Sequence, residues 1–394
     1  MAEAAYLLEH FRARGIRMGM PQGTVTDRAL RDFKKIDRQS SLELDSLRGL
    51  SAILVLVAHS FQIFVAPVNS SMYGMLGLIA QASVMLFFAL SGFLITKSIT
   101  NNYSHGFDVK KYCADRINRI IPPLLVSLAI CIALWYMAPF AFPNGTRDFI
   151  YTSDFMAREG FYIDLESIIG TLFFLNGFIV KNISANAPLW SLPYEVWYYV
   201  AAGIAVSIRG KAGLIISAIL MILLGVLSKT FFLYSIVWLS GAAACIAHNK
   251  GANDRALSSV ILYTFSSIAA VIGAYYLYKF TRVASPSQID MRIIALYNAS
   301  IGIAFSSFIF RIAAGKSAFI KYFSGTAKFS YTLYVIHFPI LLFAYGASQP
   351  DVSDITRSLV ASVIGIAACI AISMSIAGSV ETSKIIKYRK LKEA

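Results

Sequence analysis

The sequence predicts an all-α protein, a polytopic membrane helix bundle of about ten transmembrane helices. One more apolar segment, near 166–180, is re-entrant or interfacial. Three observations carry that prediction. Hydrophobic residues make up 57% of the 394, charged residues only 14%, and the mean hydropathy is +0.64; a soluble domain carries roughly 25% charged residues. The apolar residues gather in runs of about the 20 residues that a bilayer-crossing helix needs. The lysines and arginines gather in alternate loops, the bias that orients membrane proteins.

In chain order, the first forty residues are polar and basic, with Arg12, Arg14, Arg17, Arg28, Arg31, Lys34, Lys35 and Arg38. They lack the apolar core of a signal peptide. Residues 1–40 read as a cytoplasmic arm drawn to anionic lipid. Candidate spans follow near 47–66, 75–97, 117–138, 190–208, 213–228, 231–248, 258–279, 291–311, 329–347 and 356–378. An even number of crossings puts both termini on one side, and the positive-inside rule makes that side cytoplasmic. It holds 27 of the 35 Lys and Arg; the other eight are Arg147, Arg158, Lys181, Lys229, Lys279, Arg282, Arg292 and Arg357. A crossing at 166–180 would invert every later loop, hence its re-entrant or interfacial reading. The stretch 139–189 becomes the largest extracytoplasmic segment. The membrane domain spans 41–380, and 381–394 form a basic cytoplasmic tail.

The net charge of +14 suggests nucleic acid at first sight, but its confinement to loops on one side argues for the membrane. Cys113, Cys131, Cys245 and Cys369 form no CxxC pair. Neither a zinc site nor a disulfide framework is read from them. Without convergent carboxylates and histidines, no metal site is read either.

Arg48 and His59 stand eleven residues apart in LRGLSAILVLVAHSF. At 100° per residue that is about 20° past three turns, so both lie on one stripe of one helix, with Ala52 and Val55 between them. The rise is about 16 Å. With Arg48 at the cytoplasmic edge, His59 sits near mid-membrane, where an ionisable side chain is costly and points to function. A neutral imidazole there can act as a base toward a hydroxyl or itself accept an acyl group. It can equally be a histidine hydrogen-bonded between helices. Asp45 can pair with Arg48 at i,i+3 or serve as an ordinary first-turn acid.

Four further segments hold chemistry-bearing residues. In FFALSGFLI, Ser91 and Gly92 suit close helix packing, and Ser91 is also a candidate nucleophile or substrate contact. Lys110, Lys111, Arg116 and Arg119 open the third helix from the cytoplasmic side, where a pyrophosphate or 3′-phosphate would find both cations and a helix dipole; an ordinary positive-inside anchor would look the same. Pro122 and Pro123 are placed to kink that helix. In NAPLWSLPYEVWYY, Ser191 can cap a helix whose first turn holds Pro193 and Glu195. Trp190, Tyr194, Trp197, Tyr198 and Tyr199 suit an interfacial aromatic belt or a sugar ring, and Glu195 among them suits acid or base work. In FSYTLYVIHFPI, Ser330, Tyr334 and His337 form one polar stripe, structural or catalytic. His10, His105 and His248 fall in the arm or loops and read as solvated.

Together these segments resemble the acyltransferase-3 family of integral-membrane O-acyltransferases, over about residues 42–381. LDSLRGLSAILVLVAHS resembles its Arg-x10-His signature, FFALSGFLI its Ser-Gly-Phe-Leu helix, and DRINRIIPP its Arg-x-x-Arg motif. NAPLWSLPYEVWYY and FSYTLYVIHFPI resemble its Trp-Ser-Leu-x-x-Glu and late Ser-Tyr-x-x-Tyr-x-x-His-x-Pro segments. Pro193 and Tyr194 depart from the usual Ser and Val, and Thr382 follows Glu381 where a proline is common. No hydrolase-like soluble domain follows the membrane part, so a partner needed for final transfer would be a separate chain. The resemblance implies acetyl-CoA as cosubstrate and a carbohydrate hydroxyl as acceptor, on O-antigen, exopolysaccharide or a similar glycan or glycolipid, in a bacterial inner membrane. It implies His59 as the catalytic residue, with Arg48 and Glu195 assisting. Arg48, Arg116, Arg119 and Lys111 would hold the CoA phosphates, and Trp190, Tyr194, His337 and Ser91 would contact substrate. The rival class is a proton-coupled transporter or flippase, since buried His and Glu also mark proton pathways; no inverted repeat supports it.

Overall fold

Aspartates and serines set where most helices begin. Asp37, Asp108, Asp164, Ser228, Asp254, Asp290 and Asp354 each accept a backbone N–H from the turn that follows, satisfying donors that a helix start leaves open. In the computed structural model, which describes residues 35–103, 107–208, 211–252, 254–283, 288–349 and 354–386, they open most of eleven α-helices. These are α1 (Arg38–Phe64), α2 (Tyr73–Tyr103), α3 (Val109–Ala141), α4 (Leu165–Leu172), α5 (Ser191–Ser207), α6 (Lys211–Leu227), α7 (Lys229–Asn249), α8 (Arg255–Phe280), α9 (Met291–Ala313), α10 (Ser330–Ser348) and α11 (Ile355–Val380). Residues 1–34, with most of the basic arm and His10, lie outside the described residues, as does His105.

The fold is an all-α polytopic bundle. Among the described residues, eight helices are long and apolar enough to cross a membrane: α1, α2, α3, α7, α8, α9, α10 and α11. The expected spans at 190–208 and 213–228 are α5 and α6, each 17 residues and about 25 Å long. The apolar stretch 166–180 holds only the eight-residue α4, too short to cross. The third helix starts at Val109 rather than near 117, because Asp108 caps it, and it runs on through Pro122 and Pro123.

Burial separates core from rim. Some 72% of the apolar stretch is buried in α2 and α10, but only 17% in α8 and 22% in α11. The outer helices expose Val260, Val271, Val363 and Ile364, an apolar surface that suits lipid. At the core, α2 and α7 touch backbone to backbone. A Cβ on Gly92 would lie 2.0 Å from the Trp238 carbonyl oxygen, and one on Gly241 would lie 2.1 Å from that of Ala89. Small residues are what permits such an approach.

One irregular segment runs through the interior. Ser184–Trp190 forms a 3₁₀ stretch broken at Asn186 (φ −141°, ψ 57°) just before α5. Its anchor follows from Pro339 in α10. A proline has no N–H for the carbonyl four residues back, here Val335. The freed oxygen accepts from Ser127 Oγ at 2.6 Å and Asn186 Nδ2 at 2.9 Å, and Asn186 also donates to Ser127 Oγ at 2.9 Å. Irregular backbone inside a membrane protein survives where protein satisfies it.

Candidate active site

One turn of α10, from Tyr334 to His337, separates two clusters. The first is a narrow cavity of about 80 Å³. Arg48 from α1, Arg116 and Arg119 from α3, Ser91 from α2, Glu195 and Tyr199 from α5, and Tyr331 and Tyr334 from α10 line it. Arg48 and Arg116 are half-buried, and Arg119 is exposed where it lines the cavity. Arg48 is turned by Asp45, whose carboxylate it meets at 3.0 Å. Since α1 begins at Arg38, Asp45 is not a first-turn acid. Arg119 is within electrostatic reach of Glu195, Glu381, Tyr199 and Tyr331. The Glu195 carboxylate accepts the Tyr199 hydroxyl in a short hydrogen bond.

Three buried donors on this cavity have no hydrogen-bond partner among the described residues: Arg48 Nε, Arg116 Nε and the Tyr331 hydroxyl. Buried unsatisfied donors are costly. Guanidinium groups from two helices, with Glu195 as the one carboxylate in the lining, form a receptacle for an anion. Glu381 supports it from below. Its Oε1 accepts from the Thr332 backbone N–H at 3.0 Å and hydroxyl at 2.8 Å, capping the first turn of α10.

The second cluster is a histidine pair. His59 Nδ1 and His337 Nε2 are 2.9 Å apart, and the rings stack at 5.2 Å with 5° between planes. His337 Nδ1 faces the carbonyls of Tyr334 at 2.8 Å and Leu333 at 3.1 Å. A carbonyl only accepts, so His337 Nδ1 carries the proton and its Nε2 accepts. With both rings neutral, His59 Nδ1 must then donate, which leaves the lone pair on His59 Nε2. Phe338 packs edge-on against His59 at 5.3 Å. The guanidinium of Arg158, from the long 142–183 connection, lies over Phe338 at 5.6 Å and within electrostatic reach of His59.

Several expected residues fall elsewhere. Lys111 pairs with Asp115 at 2.9 Å on the surface and does not line the cavity. Trp190 and Tyr194 are not an interfacial belt; they pack inside against Phe88, Phe178, Phe231 and Tyr234, and Tyr194 bonds Ser228 at 2.7 Å. Ser191 caps nothing; it is the first residue of α5, and its hydroxyl meets that of Tyr334 at 2.6 Å. Ser91 Oγ contacts the Tyr199 hydroxyl at 3.1 Å and Trp238 Nε1 at 3.3 Å. Glu195 stands on the arginine cavity, and its recorded partner is Tyr199, not His59. His248 is not solvated: it is buried in the last turn of α7, with Nε2 2.9 Å from the Ala313 carbonyl. Among the described residues, no cluster of His, Cys, Asp or Glu could hold a metal. Arg158 was legible only as a cation on the side of the bundle where cations are few.

The fold and the two clusters define a membrane protein with an arginine-lined cavity one turn of α10 from a histidine pair. The sequence pattern of the family described as "Acyltransferase domain", the acyltransferase-3 family, matches residues 41–377. The chain belongs to that family. It is 27% identical over 179 residues to an "O-acetyl transferase" of Shigella phage Sf6, an overlap covering 44% of this chain and 48% of the relative. The chain thus spans about half the length of the curated relative it matches. No solved structure matches.

Proposed function

We propose that the protein is a membrane O-acyltransferase that moves an acetyl group from cytoplasmic acetyl-CoA to a hydroxyl of an extracytoplasmic or lipid-linked carbohydrate. One observation carries the reading: unpartnered arginine donors converge on a narrow cavity that reaches Tyr334, one turn from a histidine pair with a free ring nitrogen. The CoA phosphates dock on Arg48, Arg116 and Arg119. The pantetheine arm then spans the roughly 16 Å that separates Arg48 from His59 along α1.

His59 Nε2 takes the proton of the acceptor hydroxyl as its oxygen attacks the thioester carbonyl. The carbon–sulfur bond breaks, and the CoA thiolate recovers the proton from His59. His337 receives the Nδ1–H of His59 and steadies the imidazolium that forms. Both termini then lie in the cytoplasm of a bacterial inner membrane, and the acceptor enters from the opposite face.

The test is transfer from radiolabelled acetyl-CoA to cell-envelope glycan in membranes carrying the native chain or His59→Ala at matched amounts. The expected loss is on the order of 10²–10⁴-fold, the range for removing a general base. Equal labelling would take His59 out of the chemistry. No label with either chain would favour transport of a solute instead.

A further inference from the structure

We propose that Arg158 recognises an anionic substituent, a carboxylate or a phosphate, on the acceptor sugar. This rests on the acyltransferase reading above and adds the acceptor's chemical class. Arg158 Nε donates to the Ser184 carbonyl at 3.0 Å, and Nη1 donates to that of Ala157. A guanidinium has five N–H groups, so three remain after these two bonds. No carboxylate is within ion-pairing distance of Arg158 among the described residues.

An unpaired cation set among protein groups is costly to keep. Its position also bears on the chemistry. Arg158 acts electrostatically on His59 and sits over the Phe338 ring that touches both histidines. A fixed positive charge there opposes the imidazolium that His59 must form on taking a proton. An acceptor that brings its own negative charge removes both costs. It pairs with the free N–H groups of Arg158 and neutralises the field at His59 in the complex that reacts. The two backbone carbonyls hold the guanidinium in place, so a planar or tetrahedral anion meets a preformed fork. Recognition and catalysis are thereby coupled: a neutral sugar leaves the charge uncompensated.

The experiment uses the full chain in membranes, with radiolabelled acetyl-CoA and envelope glycan in three forms: untreated, with carboxylates coupled to a neutral amine, and dephosphorylated with hydrogen fluoride. The native chain is compared with Arg158→Gln and Arg158→Lys. Expected are a KM for untreated glycan at least tenfold higher in Arg158→Gln, an intermediate value in Arg158→Lys, and unchanged affinity for acetyl-CoA. One neutralised glycan should impose the same tenfold penalty on the native chain and no further penalty on Arg158→Gln; which one does so tells carboxylate from phosphate. The proposal is overturned if the native chain uses all three glycans alike. It is also overturned if Arg158→Gln loses the same factor with every form, as a structural or oxyanion-holding role requires. Failure of the acyltransferase reading itself looks different: no label from the native chain with any glycan.

Discussion

His59 owes its free Nε2 to two backbone carbonyls it never touches. Those of Leu333 and Tyr334 fix the proton of His337, and His337 fixes that of His59. In the proposed mechanism His337 is a positioning residue, and that role has a test of its own. In His337→Ala, His59 Nδ1 loses its acceptor; kcat should fall about tenfold or more, what one hydrogen bond of roughly 1.4 kcal/mol is worth. In His337→Gln, the amide oxygen can take the place of Nε2 and the amide N–H can still reach a carbonyl, so most of the rate should return. Equal losses in the two variants, or a loss confined to KM, would mean that His337 only fills space. The Arg-x10-His spacing made Arg48 and His59 share a stripe on paper, and the helix α1 delivers it. The partner of His59 was not legible that way, since His337 is 278 residues away and only the packing of α10 on α1 brings it within 2.9 Å.

At the scale of elements, α10 organises the site through the bond that Pro339 leaves out. The unclaimed Val335 carbonyl draws Ser127 of α3 and Asn186 of the 3₁₀ segment to the helix that carries His337. Replacing both Ser127 and Asn186 by Ala should strand that carbonyl and cost about 1–3 kcal/mol, read as a lower thermal midpoint in detergent. Adding Pro339→Ala should restore an N–H four residues along and recover part of the loss. No recovery would show that the proline's missing donor is not what ties the segment down. The sequence marked Pro339 and Asn186 as motif members, but a freed carbonyl has no side-chain signature. Local pattern also misplaced the first turn of α5, where the hydroxyl of Ser191 serves Tyr334 rather than a helix cap.

Across the whole molecule, charge is sorted by place. Arg116 and Arg119 were expected at the mouth of the third helix; with its start at Val109 they lie about two and three turns inside and face the cavity. Lys111, in the first turn, pairs with Asp115 outside it. Binding of labelled CoA to the purified protein should separate the two. Arg116→Gln should weaken binding by about tenfold, near the 1.5–3 kcal/mol expected for hydrogen bonds to charged groups, and should flatten its fall with rising salt. Lys111→Gln should leave both unchanged. Equal weakening by both variants would show that general surface charge, not the cavity, attracts the donor.

What the sequence by itself determined about this protein was its class: apolar runs of spanning length, loops sorted by charge and five ordered motifs placed it among membrane helix bundles and named Arg48, His59, Arg116 and Arg119. Those features are local, because hydropathy and helical periodicity are read over one or a few turns. Only the tertiary structure decided which motifs meet. It set Glu195 with the arginines rather than with His59, packed Trp190 against interior aromatics, buried Tyr194 and His248, joined His59 to His337, and brought Arg158 beside them. Such contacts join residues tens to hundreds of positions apart, and they are fixed by how helices pack, on which no single stretch of chain carries information.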